Sequence, residues 1–240
     1  INSDISKDAK SLAQIALGRL LAVTGKISAA EKIFKDIIIN YSLNPIADSA
    51  KIEMGKLYVD IGDYGNAKKY FMELVDTTGK KSGVIDKIAV FQLANSEYQL
   101  KNYLSALKYI QTFEEKYSSA AEIIDLWFIA AETHRKLSDY LKSNEYFKKI
   151  IDQPAENSLK KKAFLYYCQN CIDIRNYNEA IEYYNIFLEK YPNDPLTAEI
   201  LFRQGKSYLD YLRDYRRAVT MFDEIITKQR TNLLTNDALF

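Results

Sequence analysis

The sequence predicts an all-α fold, a solenoid of about six antiparallel helical hairpins. Three observations carry that expectation. Helix breakers are scarce, with four prolines and eight glycines in 240 residues, which suits long helices joined by short turns. Hydrophobic residues make up 48% of the chain, enough to bury a large core. A packing frame also recurs almost from end to end: a small residue, a second small residue twelve positions on, and a large residue four after that.

The frame is clearest at Gly55, Ala67 and Phe71, with Met54 and Tyr58 beside the first and Gly62, Asp63 and Tyr64 before the second. It fits Gly18, Ala30, Phe34; Ala94, Ala106, Ile110; Ala131, Ser143, Phe147; and Cys168, Ala180, Tyr184. The sixth copy, Gly205, Ala218, Phe222, has one extra residue, expected in the turn. Successive copies of the second small residue are shifted by 37, 39, 37, 37 and 38 positions. Small residues let two antiparallel backbones approach. The large residue is expected to fill the wedge between one hairpin and the next. A single hairpin cannot bury its apolar face alone, so the units stack. An ordinary helical bundle has no reason to repeat this frame.

First helices are expected near 6–23, 46–61, 84–100, 120–137, 156–174 and 195–211. Second helices are expected near 27–41, 64–77, 103–117, 140–151, 177–190 and 214–229. Asp194 before Pro195 is a helix-start signal. No Gly/Ser/Pro linker interrupts the chain, so residues 1–240 read as one continuous domain with repeats near 6–43, 46–80, 84–118, 120–153, 156–192 and 195–230. The segment from Leu233 to Phe240 echoes Pro195–Phe202, so 231–240 read as a cap or the start of a seventh repeat. In the latter case the chain is an excerpt of a longer protein, as its first residue, Ile1, also suggests. Leu239 and Phe240 would then leave an apolar face for self-association through the C-terminal end.

The repeated pattern resembles the tetratricopeptide repeat (TPR) over residues 6–229. Trp127 stands at that family's first-helix tryptophan position, and Pro192 where the family often places a proline after the second helix. The period is near 37, against the family's roughly 34 residues. This lengthened form, with Phe187-Leu188-Glu189-Lys190-Tyr191-Pro192 before a new helix, resembles bacterial cell-envelope TPR proteins, namely outer-membrane-assembly lipoproteins and the periplasmic coordinators of the Tol–Pal system. The resemblance implies a right-handed α-α superhelical solenoid. It also implies a non-catalytic protein–protein interaction scaffold or adaptor in the bacterial periplasm or cell envelope, of outer-membrane-assembly or flagellar-motor accessory type. The alternative is a cytoplasmic TPR regulatory or co-chaperone-like domain of a larger protein.

In that family the first helix of each repeat lines a concave groove, which is where a protein or peptide partner is expected. Three positions before the first small residue stand Ile15, Ile52, Phe91, Phe128, Leu165 and Phe202, all apolar. One position after it stand Arg19, Lys56, Asn95, Glu132, Gln169 and Lys206, all polar. An apolar track beside a polar one could receive an amphipathic helix or an extended peptide. The apolar track could equally pack against the opposite wall of a tightly wound superhelix. Only Asn95 matches the residues with which some TPR domains clamp a terminal carboxylate, so a clamp of that kind is not expected.

Other chemistry finds little support. The charge balance is 33 basic to 32 acidic residues, without the excess that marks a nucleic-acid binder. No apolar run reaches the ~18 residues of a membrane span, so direct membrane insertion is not expected. Cys168 and Cys171 have redox or metal spacing, but Cys168 fills the small-residue slot mid-helix, so both read as buried thiols. The single histidine, His134, falls where Tyr58 falls in the second repeat and reads as packed. Lys160, Lys161 and Lys162 open a helix and read as a solvated end. No phosphate loop, catalytic triad or metal-binding motif appears, and no metal or other cofactor is expected.

Overall fold

A computed structural model describes residues 2–75 and 83–237, with side chains described over 9–75 and 83–227. Among these residues all regular structure is helical. The order is α1 (Asn2–Val23), α2 (Ile27–Asn40), α3 (Pro45–Asp60), α4 (Tyr64–Met72), α5 (Gly83–Gln99), α6 (Tyr103–Tyr117), α7 (Ile123–Lys136), α8 (Tyr140–Ile151), α9 (Lys160–Asp173), α10 (Tyr177–Lys190), α11 (Thr197–Lys206) and α12 (Tyr215–Asp237). Odd-numbered helices are the first helices of the hairpins. No described helix is long and apolar enough to cross a membrane.

Every turn from a first helix to a second is closed in the same way. Gly25, Gly62, Lys101, Ser138, Arg175 and Arg213 all take left-handed φ values between 58° and 77°. The next residue's N–H reaches back to the last turn of the first helix. These bonds run from Lys26 to Leu21 O (2.8 Å), Asp63 to Tyr58 O (2.8 Å), Asn102 to Glu97 O (2.8 Å), Asp139 to His134 O (2.8 Å), Asn176 to Cys171 O (2.7 Å) and Asp214 to Tyr208 O (2.9 Å). This is the Schellman closure, which satisfies carbonyls left open at a helix end. Only two of the six left-handed residues are glycine, so four of these stops carry no glycine signal in the sequence. Where the following residue is aspartate, its carboxylate caps the second helix: Asp63 accepts from Asn66 N–H at 3.0 Å, Asp139 from Lys142 at 3.3 Å and Asp214 from Arg217 at 3.1 Å.

The packing frame is present, and the large residue fills the wedge: Phe34 clusters with Met54 and Leu57 of the next hairpin, and Phe71 with Ala89 and Leu93. It also lies on the first small residue of its own hairpin. A Cβ added to Gly18 would lie 2.6 Å from the Phe34 ring, one on Gly55 2.5 Å from Phe71, and one on Gly205 2.7 Å from Phe222. Glycine is required there because the ring occupies the space a side chain would take.

The remaining differences are local. The extra residue of the sixth copy does not lengthen the turn; it is absorbed in the first helix, where Ser207–Leu212 widens into a π-helical turn. Helix α4 ends at Met72, short of 77, and α9 starts at Lys160, later than 156. Helix α12 is continuous through Asp237, so residues 233–237 belong to it. Leu239 and Phe240 lie outside the described residues.

Contacts divide the chain into two compact units, residues 1–133 and 134–240, where the sequence predicts one continuous domain. The boundary falls inside α7, where no linker composition could mark it, and repeats that touch only their neighbours divide readily. In the first unit Ser11, Asp86, Ser96, Glu97 and Thr133 are buried beside the apolar core. Ala30, Phe34, Met54 and Leu57 form one cluster, and Ile52, Ala67, Phe71, Leu74, Ala89 and Leu93 form another. In the second, Phe164, Cys168, Tyr184, Phe187 and Leu201 are buried, yet so are Ser143, Asn144, Lys160, Asn170 and Gln204.

Candidate functional site

The two tracks expected to form a groove are not uniform. Ile15 and Ile52 are only 8% and 7% exposed and belong to core clusters, Ile15 with Ile37 and Ala50, Ile52 with Phe71 and Leu93. At these two positions the apolar track is packing, the second of the alternatives the sequence leaves open. Phe91, Phe128 and Leu165 are half-buried, and Phe202 is 51% exposed. Phe91 sets its ring against Phe113 at 6.2 Å.

The polar track is largely engaged with neighbours. Arg19 pairs with Glu53 at 3.4 Å, and Lys56 with the same carboxylate at 3.2 Å. Glu132 accepts a hydrogen bond from the Tyr98 hydroxyl at 3.1 Å. Gln169 accepts from Arg203 at 3.2 Å and donates to Asp173 at 2.9 Å, while Lys206 pairs with Asp210 at 3.4 Å. Asn95 is half-buried.

Three clefts open along first helices. In the first unit, one is lined by Arg19, Phe34, Glu53, Lys56, Leu57 and Asp60 among others, and another by Lys56, Lys87, Phe91, Phe113 and Glu122. Each pairs its cations with acids, as in Lys87–Glu122 at 2.7 Å. The third lies within residues 134–240, holds about 470 Å³, and is lined by Arg135, Lys162, Leu165, Tyr166, Gln169, Leu196 and Arg203. Leu165 and Gln169 are the expected groove residues; the others are missing from the sequence reading. They could have been found by extending the tracks one helical turn along the same face. Lys162 is three before Leu165, Tyr166 three before Gln169, and Arg135 three after Glu132.

In this third cleft the Arg135 guanidinium lies 4.7 Å above the Tyr166 ring, and its Nε–H is buried without a hydrogen-bond partner. Lys162 is exposed and has no acidic partner among the described residues. Arg203 binds Glu199 through Nε (3.0 Å) and Nη2 (2.8 Å) and Gln169 through Nη1.

Lys160 corrects the solvated reading of the lysine run. It is 0% exposed, and its ammonium donates to the Gln153 carbonyl and, at 3.4 Å, to that of Ala155. Burial holds its pKa below the usual lysine value. Its slot, eight before the first small residue, is also buried at Ala47, Asp86, Ile123 and Thr197, so its register explains its burial. Lys161 pairs with Asp194.

Cys168 and Cys171 are free, buried thiols, as their register suggests. Burial pushes both pKa values up, Cys171 to about 12, the opposite of the depressed pKa of a reactive thiolate. Cys171 Sγ accepts from Asn144 Nδ2 at 3.2 Å, and Asn170 Nδ2 donates to Ser143 Oγ and Asn144 Oδ1, each at 2.8 Å. His134 is packed: it stacks on Tyr146 at 5.7 Å and 18°, matching the Tyr58–Tyr70 stack at 5.8 Å and 16°. Its Nδ1 faces Asp139 at 3.3 Å. No group of three or more metal-ligating side chains occurs among the described residues.

Tetratricopeptide-repeat family models match residues 49–79, 162–194 and 199–230, within the second, fifth and sixth hairpins. The chain therefore carries tetratricopeptide repeats. No curated protein matches the sequence significantly. Among solved structures, a tetratricopeptide repeat protein from Parabacteroides merdae superposes with a TM-score of 0.64 at 16% identity, covering 90% of this chain and 79% of that one. MamA superposes at 0.61 and 18% identity, covering 76% and 92%. YrrB, a TPR protein with an unusual peptide-binding site, superposes at 0.58 and 16% identity, covering 85% and 96%. These likenesses establish the fold as that of a TPR solenoid, a framework that typically serves protein–protein interaction.

Proposed function

We propose that this chain is a non-catalytic scaffold that holds a peptide or protein segment against its first helices, within a bacterial cell-envelope or periplasmic assembly. One observation carries the binding part of this reading. The cleft of the second unit is lined by apolar residues, Leu165 and Leu196, together with polar and charged groups, the usual composition of a recognition site. The peptide-binding site of YrrB supports the same use of the fold. The compartment is supported by the lengthened repeat and the Phe187–Pro192 segment, which resemble envelope proteins.

A displayed random-peptide library selected on the purified chain tests the binding role. Enriched peptides should bind in titration calorimetry, and Leu165→Ala, Phe128→Ala or Phe91→Ala should weaken them with the melting temperature kept. Failure to enrich any peptide, or loss of binding only in variants that also lose stability, would overturn the reading. Compartment is tested separately by fractionating cells that express the full-length gene. Recovery in the cytosol would favour a cytoplasmic regulator instead.

A further inference from the structure

The cations of the three clefts are partnered differently, and the difference points to a class of ligand. In both clefts of the first unit a carboxylate stands among the lining residues and takes up the positive charge, Glu53 between Arg19 and Lys56, and Glu122 against Lys87. The cleft of the second unit gathers Arg135, Lys162 and Arg203 with no carboxylate in its lining. Arg203 is met by Glu199 from outside the lining. Among the described residues Arg135 meets the Tyr166 ring and no acid, and Lys162 has no acidic partner. Arg135, held over the Tyr166 ring, presents a planar fork that suits a carboxylate more than a point charge would. Leu165 and Leu196 line the same cleft, so the ligand must offer apolar surface as well as negative charge.

We infer that this cleft receives an acidic peptide segment, its carboxylates held by Arg135, Lys162 and Arg203 and an apolar side chain seated on Leu165 and Leu196. The inference rests on the scaffold reading above and narrows it to a partner chemistry. A peptide fits better than an anionic membrane surface because these residues line a cleft, which admits a chain segment and not a flat bilayer.

The probe is a fluorescent peptide of alternating Glu and Leu, acetylated and amidated so that no terminus carries charge, titrated into the full chain at low salt. A matching Lys/Leu peptide and phosphatidylserine-containing vesicles serve as the other arms. The Glu/Leu peptide should bind, and the Lys/Leu peptide and the vesicles should not. Added salt should weaken binding. Arg135→Gln should weaken it by about tenfold or more, as expected for loss of a charged hydrogen bond. Lys162→Glu, at an exposed side chain without partners, should weaken the acidic peptide and improve the Lys/Leu peptide while leaving the melt unchanged. Equal binding of the two peptides, insensitivity to both substitutions, or vesicle binding with the same dependence would overturn the inference. Should library-selected peptides bind while ignoring both substitutions, the scaffold reading stands and this inference falls.

Discussion

The first two hairpins and the fifth close the same architecture with different seams. In the first two, Phe34 and Phe71 lie directly on Gly18 and Gly55, and the clusters around them are aliphatic and aromatic. In the fifth, Cys168 stands in the glycine slot, Tyr184 is buried, and a chain of Ser143, Asn144, Asn170 and Cys171 links α8 to α9. The groove track also changes along the chain: Ile15 and Ile52 are core, Phe91, Phe128 and Leu165 are half-buried, and Phe202 is exposed. The spacing of small residues sets how closely helices approach, but it does not dictate what fills the contact. A seam can be closed by shape alone or by hydrogen bonds that also fix its register.

The largest effect should come from the shape-closed seam. Gly55→Ala, which in an ordinary helix would stabilise by up to about 1 kcal/mol, should instead destabilise by about 1–3 kcal/mol through overpacking against Phe71. Chemical denaturation of the variant reads the sign directly. A gain in stability would mean the ring can move aside, and the comparison between seams would fail.

Next comes the buried lysine of the second unit. Lys160→Ala should cost about 1–3 kcal/mol, since it removes both a packed stem and a charged hydrogen bond. Lys160→Met should cost less because it keeps the stem. If the lysine were solvated, as its sequence neighbours suggest, both changes would fall within about 0.5 kcal/mol, and equilibrium unfolding can separate the two cases.

A smaller cost is expected at the polar seam's sulfur. Cys168→Ala with Cys171→Ala should fold and bind as the parent does and lose only about 1–2 kcal/mol, because small side chains replace others already accommodated. Stoichiometric zinc in the purified parent, absent from the double variant, would give these thiols a role beyond packing.

The smallest effect concerns pH. Burial, opposed by Asp139, leaves His134 with a pKa below its ordinary 6.5. The unfolded chain therefore takes up this proton first as pH falls, so stability is fully present above 6.5 and declines as pH drops toward the folded value. His134→Tyr, which recreates the Tyr58–Tyr70 stack, should lack that component. The difference between parent and variant melting temperatures should be flat above 6.5 and should shift against the parent below it. A difference that does not vary with pH would show that His134 is not desolvated.

Much of the fold was legible because helical hairpins are governed by local rules. Small residues twelve apart, and aspartates before tyrosines, act within a few turns of chain, and the second helices at 103–117, 140–151 and 177–190 begin and end where that spacing places them. Leu165 and Gln169, placed on the groove tracks through the family resemblance, both line the cleft of the second unit. What lay beyond the sequence depends on neighbours distant in the chain. The stops at Lys101, Ser138, Arg175 and Arg213 lack glycine, so they are imposed by closure of the turn and not by residue preference. Lys160 reads as a surface charge until its slot is seen to be enclosed, and the insertion in the sixth copy reads as a longer turn until the π-helical segment absorbs it. The cationic cleft also escaped detection. Its cations are spread over α7, α9 and α11, each unremarkable alone, and a cleft that gathers them without a carboxylate in its lining can be recognised only when those helices are brought together in space. Sequence alone thus determined the repeat and its all-α character, through contacts within a hairpin. Tertiary structure decided which positions are buried and which charges are left unpaired, because burial and pairing are properties of the surroundings.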